Sequence, residues 1–359
     1  MFEYALVLLP VSMLAFAAAA LPLPAQRTVS TALVMILTAF AALRGYVGTD
    51  TGAYHAMFEN YAAENTLDLV GIIEPLFALL LKGVSLFSNS SFAFTVTISL
   101  VQAALLLMVI ARHQNPAVFL AIYTSTFYLN FHFNILRASV AALLLLLAVD
   151  YLKSRQDSKF IFAGILSVLS HYSSIAFFLP MTAIRRSLTT GLLLFVTLSA
   201  ATVGLFYLVL SDARLLQYVT YLAVIDTADT AQFGAGLMAL FALYVAIYLC
   251  TISRSNFGLL TFLLVAWLGL RLLSTQFLFV DRIEVVINLV LVYLMVGYTP
   301  VGQVKVIRTI AILLLVVLNL YGTLSGLEQS DQAAADGFDA DPSRFRSTYL
   351  PYRFIWNEE

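Results

Sequence analysis

The chain has 359 residues, of which 61% are hydrophobic and only 11% charged, with a formal net charge of −1. Soluble domains carry about 25% charged residues, so repeated apolar runs of about twenty residues make this an all-α, polytopic integral membrane protein. The charge balance argues against nucleic acid as a partner, and a single cysteine, Cys250, excludes an internal disulfide.

In chain order, strong apolar spans are predicted at roughly 4–24, 28–43, 92–111, 115–131, 137–153, 190–210, 233–252, 257–280, 283–299 and 306–324, which is about ten full crossings. The opening MFEYALVLLPVSMLAFAAAALPLP lacks the basic n-region of a signal peptide and reads as a retained first span. RGYVGTDTGAYHAMFENY, residues 44–61, follows the second span. Within it Asp50, Tyr54, Phe58 and Tyr61 recur on one helical face. One reading makes Asp50 an N-cap and the rings an interfacial anchor. The other makes Asp50 a base beside an aromatic sugar-stacking face, with Arg44 facing an anion. Two further segments, 72–87 and 160–184, are apolar but interrupted, the first by Glu74, Pro75 and Lys82 and the second by His171 and Pro180.

Basic residues in short loops set the orientation. Arg27, Arg112, Lys153, Arg155, Lys159, Arg185, Arg186, Arg254, Lys305 and Arg308 all reach the cytoplasm if 72–90 lies in the outer interface and 160–184 is a re-entrant hairpin. Treating both segments as full spans inverts residues 88–160 instead. Broken elements of this kind are tolerated only where protein or a wet cavity covers the backbone. The expected organisation is therefore a membrane domain over 1–324, with external loop and interfacial helices at 44–90 and an external loop at 211–232. A periplasmic tail over 325–359 follows. Its first half (SGLEQSDQAAADGFDAD) reads as a flexible linker and its second half as a docking segment or interfacial anchor. Arg44, Asp50, Arg137, Arg282 and His171 then fall on the outer face.

Arg137 begins a span, where free backbone N–H groups, the helix dipole and a guanidinium fork together suit a phosphate or diphosphate. Snorkelling to lipid headgroups is its alternative. Arg282 repeats the pattern, with Asp281 and Glu284 as candidate neutralising neighbours. Arg271, some nine residues inside the predicted span 257–280, is expected to face a wet cavity or a partner. His171, flanked by Ser170, Ser173 and Ser174, is either a satisfied buried imidazole or a group that moves protons near neutral pH. Gly-rich phosphate loops, Cys clusters and His-x-x-x-His pairs do not occur, so no cofactor is called for.

Taken together, RGYVGTDTGAYHAMF, EPLFALLLK, LRASVAALLLLLA, LSHYSSIAFFLP, DRIEVVIN and YLPYRFIW resemble, in order and over nearly the whole chain, the EpsG family of Wzy-type polysaccharide polymerases. The chain departs from that pattern at Ala138, where relatives carry Gln beside the arginine. The resemblance implies a GT-C-like glycosyltransferase of the bacterial inner membrane, with its active site facing the periplasm. The growing glycan would pass from undecaprenyl diphosphate to the non-reducing sugar of a lipid-linked repeat unit. A chain-length regulator and a flippase are the candidate protein partners. In that scheme Arg137, Arg282, Arg44 and Arg271 bind diphosphate, and Tyr54, Phe58, Tyr61 and Tyr172 hold sugar rings. Asp50 and His171 compete as base, Asp50 being favoured by analogy with membrane glycosyltransferases that use an acid in the first external loop. A transporter of lipid-linked sugars and a membrane acyltransferase using His171 are the alternatives.

Overall fold

A computed structural model describes residues 2–48, 50–62, 73–184, 235–252, 257–274, 278–298 and 304–336, with a few isolated positions between 189 and 197. The described residues are almost entirely helical and contain no β-strand. In order they are α1 (Phe2–Ala18), α2 (Leu23–Ala42), α3 (Thr51–Tyr61), α4 (Pro75–Ser85), α5 (Ser91–Arg112), α6 (Pro116–Ile122), α7 (Leu136–Lys153), α8 (Asp157–Ser170), α9 (Ile175–Ile184), α10 (Ala235–Thr251), α11 (Phe257–Ser274), α12 (Leu278–Gly297) and α13 (Val304–Asp336). Proline opens α2, α4 and α6, where its missing N–H costs no helical hydrogen bond.

Among the described residues, Leu23–Ala42, Ser91–Arg112 and Val304–Leu327 can cross a membrane by length and composition, and six shorter apolar helices accompany them. The chain is thus an all-α membrane protein. The expected span 190–210, the loop 211–232 and the tail beyond 336 lie essentially outside the described residues. Within the expected span 257–280 the described helix covers Phe257–Ser274. One expectation changes: residues 325–336, expected to begin a flexible tail, continue α13. That stretch is rich in Ala, Gln, Glu and Asp and has no proline, so nothing in it stops a helix already under way.

The chain forms two compact units, Met1–Tyr172 with Ile312–Glu359, and Ser173–Ala311. In the first, α7 is buried almost all round from Leu136 to Val149, as expected of a helix that is hydrophobic on every face. α8 returns along it after a turn in which Arg155 takes a positive φ of 55°. The Ser167 hydroxyl donates to the Ala141 carbonyl at 2.7 Å. Ahead of α7, the expected span 115–131 is made of α6 followed by two π-helical turns, Tyr123–Phe127 and Asn130–Asn134. A widened turn strains the regular backbone bonding, and side chains from other helices supply donors to its carbonyls. Gln102 donates to Phe131 at 3.0 Å, Thr51 to Phe133 at 3.2 Å and Thr323 to Ser125 at 2.9 Å, while Arg44 donates to His132.

This packing explains the glycine of the GTD stretch. Gly48 has φ +105°, and a Cβ there would stand 2.7 Å from the Phe133 carbonyl oxygen. Only glycine permits both the backbone conformation and the approach.

In the second unit α11 and α12 pack side by side, with α12 buried from Val286 to Val296. The Tyr244 hydroxyl reaches across from α10 to donate to Asn288 at 2.6 Å.

Candidate functional site

Glu74 precedes Pro75, a residue that holds its predecessor out of the helical region, and its backbone is extended at φ −62°, ψ 138°. The carboxylate is carried inward rather than along α4, and its side chain is 7% exposed. Two residues distant in sequence meet it there. Arg137, second residue of α7, places Nη1 2.6 Å from one carboxylate oxygen. His171, where α8 ends and the backbone turns extended at φ −159°, places Nδ1 2.8 Å from the other. Because α7 and α8 run antiparallel, the start of one and the end of the other lie at the same level, and Glu74 closes that end.

Burial would raise the Glu74 pKa, but the His171 hydrogen bond and the Arg137 charge outweigh it and hold the carboxyl at about 2. Glu74 is therefore ionised at any physiological pH and can only accept. It follows that the hydrogen in its contact with His171 sits on Nδ1. In the neutral imidazole Nε2 then carries a lone pair and no proton, so the dyad fixes a tautomer with a proton acceptor at Nε2. The His171 side chain is 18% exposed.

Arg137 rests on an aromatic floor, with its guanidinium carbon 6.0 Å from the Phe77 ring centroid. The Tyr54 ring lies 5.9 Å from the same Phe77. The Tyr54 hydroxyl is within the electrostatic reach of both Arg137 and Asp50, and burial raises its pKa. Asp50 stands at the N-cap position of α3 but makes no side-chain capping bond. Glu74 thus joins Arg137 and His171, Tyr54 comes in beside Arg137, and Asp50 acts on Tyr54. Tyr172, next to His171, is exposed.

Other expected members are placed elsewhere. Phe58 does not belong to a sugar-stacking face: it is wholly buried, stacked on Phe94 at 5.4 Å in the apolar core shared by α3, α4 and α5. Tyr61 is half-buried against the same core. Their spacing identified one face of α3 correctly, but that face turns inward. Arg44 is not open to a diphosphate either. It is fully buried, donates to the Ala41 carbonyl at 3.2 Å and to the His132 carbonyl, and lies 4.7 Å from the Phe133 ring centroid. The π-helical turns provide that acceptor, and its role is to fasten the end of α2 to them.

Arg271 belongs to the second unit. It lies near the end of the described part of α11 and pairs with Glu284 at 3.7 Å. Glu284 thus engages Arg271, where Arg282 was its expected neighbour. Arg282 falls in the early turns of α12, and its side chain lies outside the described residues.

Sequence reasoning registered Glu74 only as an interruption in an apolar segment. The available signal was an acid directly before proline whose nearest base in sequence, Lys82, is turned away and donates to the Ala62 carbonyl at 2.7 Å.

Beside this site, His55 is enclosed between Ser91 at 2.9 Å and Thr95 at 3.2 Å, with the Tyr46 ring at 4.4 Å. Ser91 donates onward to Glu59 at 3.1 Å. Burial, then the Arg44 charge, lowers the His55 pKa to about 4.

Comparison with curated proteins and with solved structures finds no match. The model of one protein family, described as the EpsG family, matches residues 27–334, the greater part of the chain.

Proposed function

The chain belongs to the EpsG family of Wzy-like polymerases, and from that premise we propose that it polymerises a bacterial surface polysaccharide at the periplasmic face of the inner membrane, on a GT-C-like helical framework. The donor is a growing glycan on undecaprenyl diphosphate. The acceptor is the non-reducing sugar of a lipid-linked repeat unit. The acceptor hydroxyl oxygen bonds to the donor's anomeric carbon as the bond from that carbon to the diphosphate oxygen breaks. The diphosphate leaves with the electron pair, and the hydroxyl proton passes to a base. The lipid diphosphate is itself the leaving group, so no nucleotide is consumed.

The observation that carries this reading is the single carboxylate of Glu74 holding Arg137 on one oxygen and His171 on the other. Transfer from a sugar diphosphate needs a cation for the charge on the leaving group and a base for the attacking hydroxyl. Arg137, at a helix N-terminus and 31% exposed, supplies the first. His171 Nε2 supplies the second and takes that role in place of Asp50, because Glu74 fixes its tautomer and stabilises the imidazolium as it forms. Asp50 and Tyr54 orient Arg137 and the sugar beside it.

Cells in which Arg137→Ala replaces the wild type are expected to make no polymer and to accumulate single repeat units on lipid. Polymer of normal length and amount in such cells removes Arg137 from the reaction. Polymer formed from lipid-linked units by the purified protein separates the polymerase from a transporter of the same lipids.

A further inference from the structure

The end of α7 opposite Arg137 carries a second concentration of charge. Arg112 at the end of α5, Lys153 at the end of α7, and Arg155 and Lys159 around the start of α8 stand there with two carboxylates, Asp150 and Asp157. α5 and α8 both pack on α7, and Tyr151 of α7 gathers a cation from each. The Arg112 guanidinium carbon lies 4.4 Å from the Tyr151 ring centroid, and Lys159 Nζ lies 5.8 Å from it. Asp150 holds Arg112 through Nε at 2.5 Å, which fixes the direction of the guanidinium. Lys153, Arg155 and Lys159 are exposed.

Arg155 occupies a position that a backbone of this shape ordinarily gives to glycine. The Gln156 N–H donates to the Tyr151 carbonyl at 2.9 Å and the Arg155 N–H to the Leu152 carbonyl at 3.1 Å, the paired bonds of a Schellman cap. The residue at the left-handed turn of such a cap is usually glycine, and here Arg155 takes it at φ 55°. A guanidinium is therefore held at this point against the backbone preference. Next to the cations the surface is apolar. Phe162 and Met108 are exposed one helical turn from Lys159 and Arg112, with Ile161 and Ile165 exposed beside Phe162 on α8.

We infer that this end of α7 binds an anionic phospholipid, with Arg155 and Lys159 on the headgroup phosphate and the acyl chains along Met108, Ile161, Phe162 and Ile165. A soluble phosphate would need the cations alone. A phospholipid also needs apolar surface adjoining them, and both flanking helices supply it. With α7 crossing the bilayer, its rise of roughly 24 Å from Arg137 to Lys153 approaches the hydrocarbon thickness of about 30 Å. The cluster then lies at the level of the headgroups on the side opposite the Glu74 centre, and takes no part in the reaction proposed above.

The test uses the full-length protein in phosphatidylcholine nanodiscs containing a minority of phosphatidylglycerol, with native mass spectrometry to measure the ratio of the two lipids retained. The wild type is expected to retain phosphatidylglycerol preferentially. Arg155→Gly should lower that preference about fivefold, and Arg155→Gly with Lys159→Gln about thirtyfold. Glycine suits the cap, so Arg155→Gly should not lower the unfolding midpoint in pure phosphatidylcholine. Lys305→Gln removes one charge from the exposed start of α13 and should leave the ratio unchanged. A wild type without preference overturns the site. So does a Lys305→Gln protein that loses as much as Arg155→Gly, because the preference then belongs to total charge. Inorganic phosphate that raises the wild-type midpoint in pure phosphatidylcholine as much as phosphatidylglycerol does makes the ligand a soluble anion and overturns the lipid. An Arg155→Gly protein with a lower midpoint and an unchanged ratio makes Arg155 a helix cap only and overturns its assignment.

Discussion

Two buried carboxylates in this chain each hold an arginine, and the company they keep differs. Glu74 binds Arg137 at 2.6 Å and an imidazole at 2.8 Å, all within the first unit. Glu284 binds an indole and stands 3.7 Å from Arg271, all within the second. An imidazole can take a proton at its far nitrogen once a carboxylate has fixed the near one, and an indole cannot. The same acid–arginine pair thus stands beside a titratable ring in one place and beside a donor that does not titrate in the other. A charge partner alone does not distinguish them; the third residue does.

The comparison breaks most visibly at His171. His171→Gln keeps a hydrogen-bonding side chain but no base, and is expected to reduce polymerisation by the 10²–10⁴-fold typical of a lost general base, about 3–5 kcal/mol in the barrier. The rate of polymer formation by purified protein measures it. A loss below about tenfold would make the two centres equivalent.

Acid sharpens the contrast. The Glu74 pKa is depressed from 4.5 to about 2, so its stabilising contribution is fully present above pH 4.5 and is lost only as pH falls through about 2. His55 is depressed from 6.5 to about 4, so folding stability is unaffected above pH 6.5 and declines from there toward pH 4. The total decline is of the order of 3 kcal/mol. Thermal unfolding across this range should show that slope in the wild type and not in His55→Gln. A slope that persists in the variant would locate the acid-sensitive group elsewhere.

Trp267→Phe should have the smallest effect. It keeps the stack on Tyr244 and removes only the indole hydrogen bond to buried Glu284, at a cost of about 1–3 kcal/mol. Denaturation midpoints test this, and polymerisation should fall far less than in His171→Gln.

Much of the fold was legible in the sequence. Apolar runs located the helices, and His171 with Pro180 beyond it marked a break in 160–184 that occurs at His171. Arg137 at the beginning of a helix was also legible, because span boundaries are local features. What was not legible depends on contacts distant along the chain. Glu74 meets residues 63 and 97 positions away, and nothing in its neighbours encodes them. The spacing of Tyr54, Phe58 and Tyr61 defines a face without saying what lies against it, so a core face passed for a binding face. Arg44 was expected at an anion because the π-helical turns, which leave no sequence signature, provide the carbonyl it binds.

The most direct test of the Glu74 centre is Glu74→Gln in the purified protein supplied with lipid-linked repeat units. The change keeps the size and hydrogen-bonding shape of the side chain and removes its charge, which both orients Arg137 and fixes the proton on His171 Nδ1. A folded protein whose rate of polymer formation falls by about 10²-fold is the expected result. A folded Glu74→Gln protein that polymerises at the wild-type rate would contradict the account.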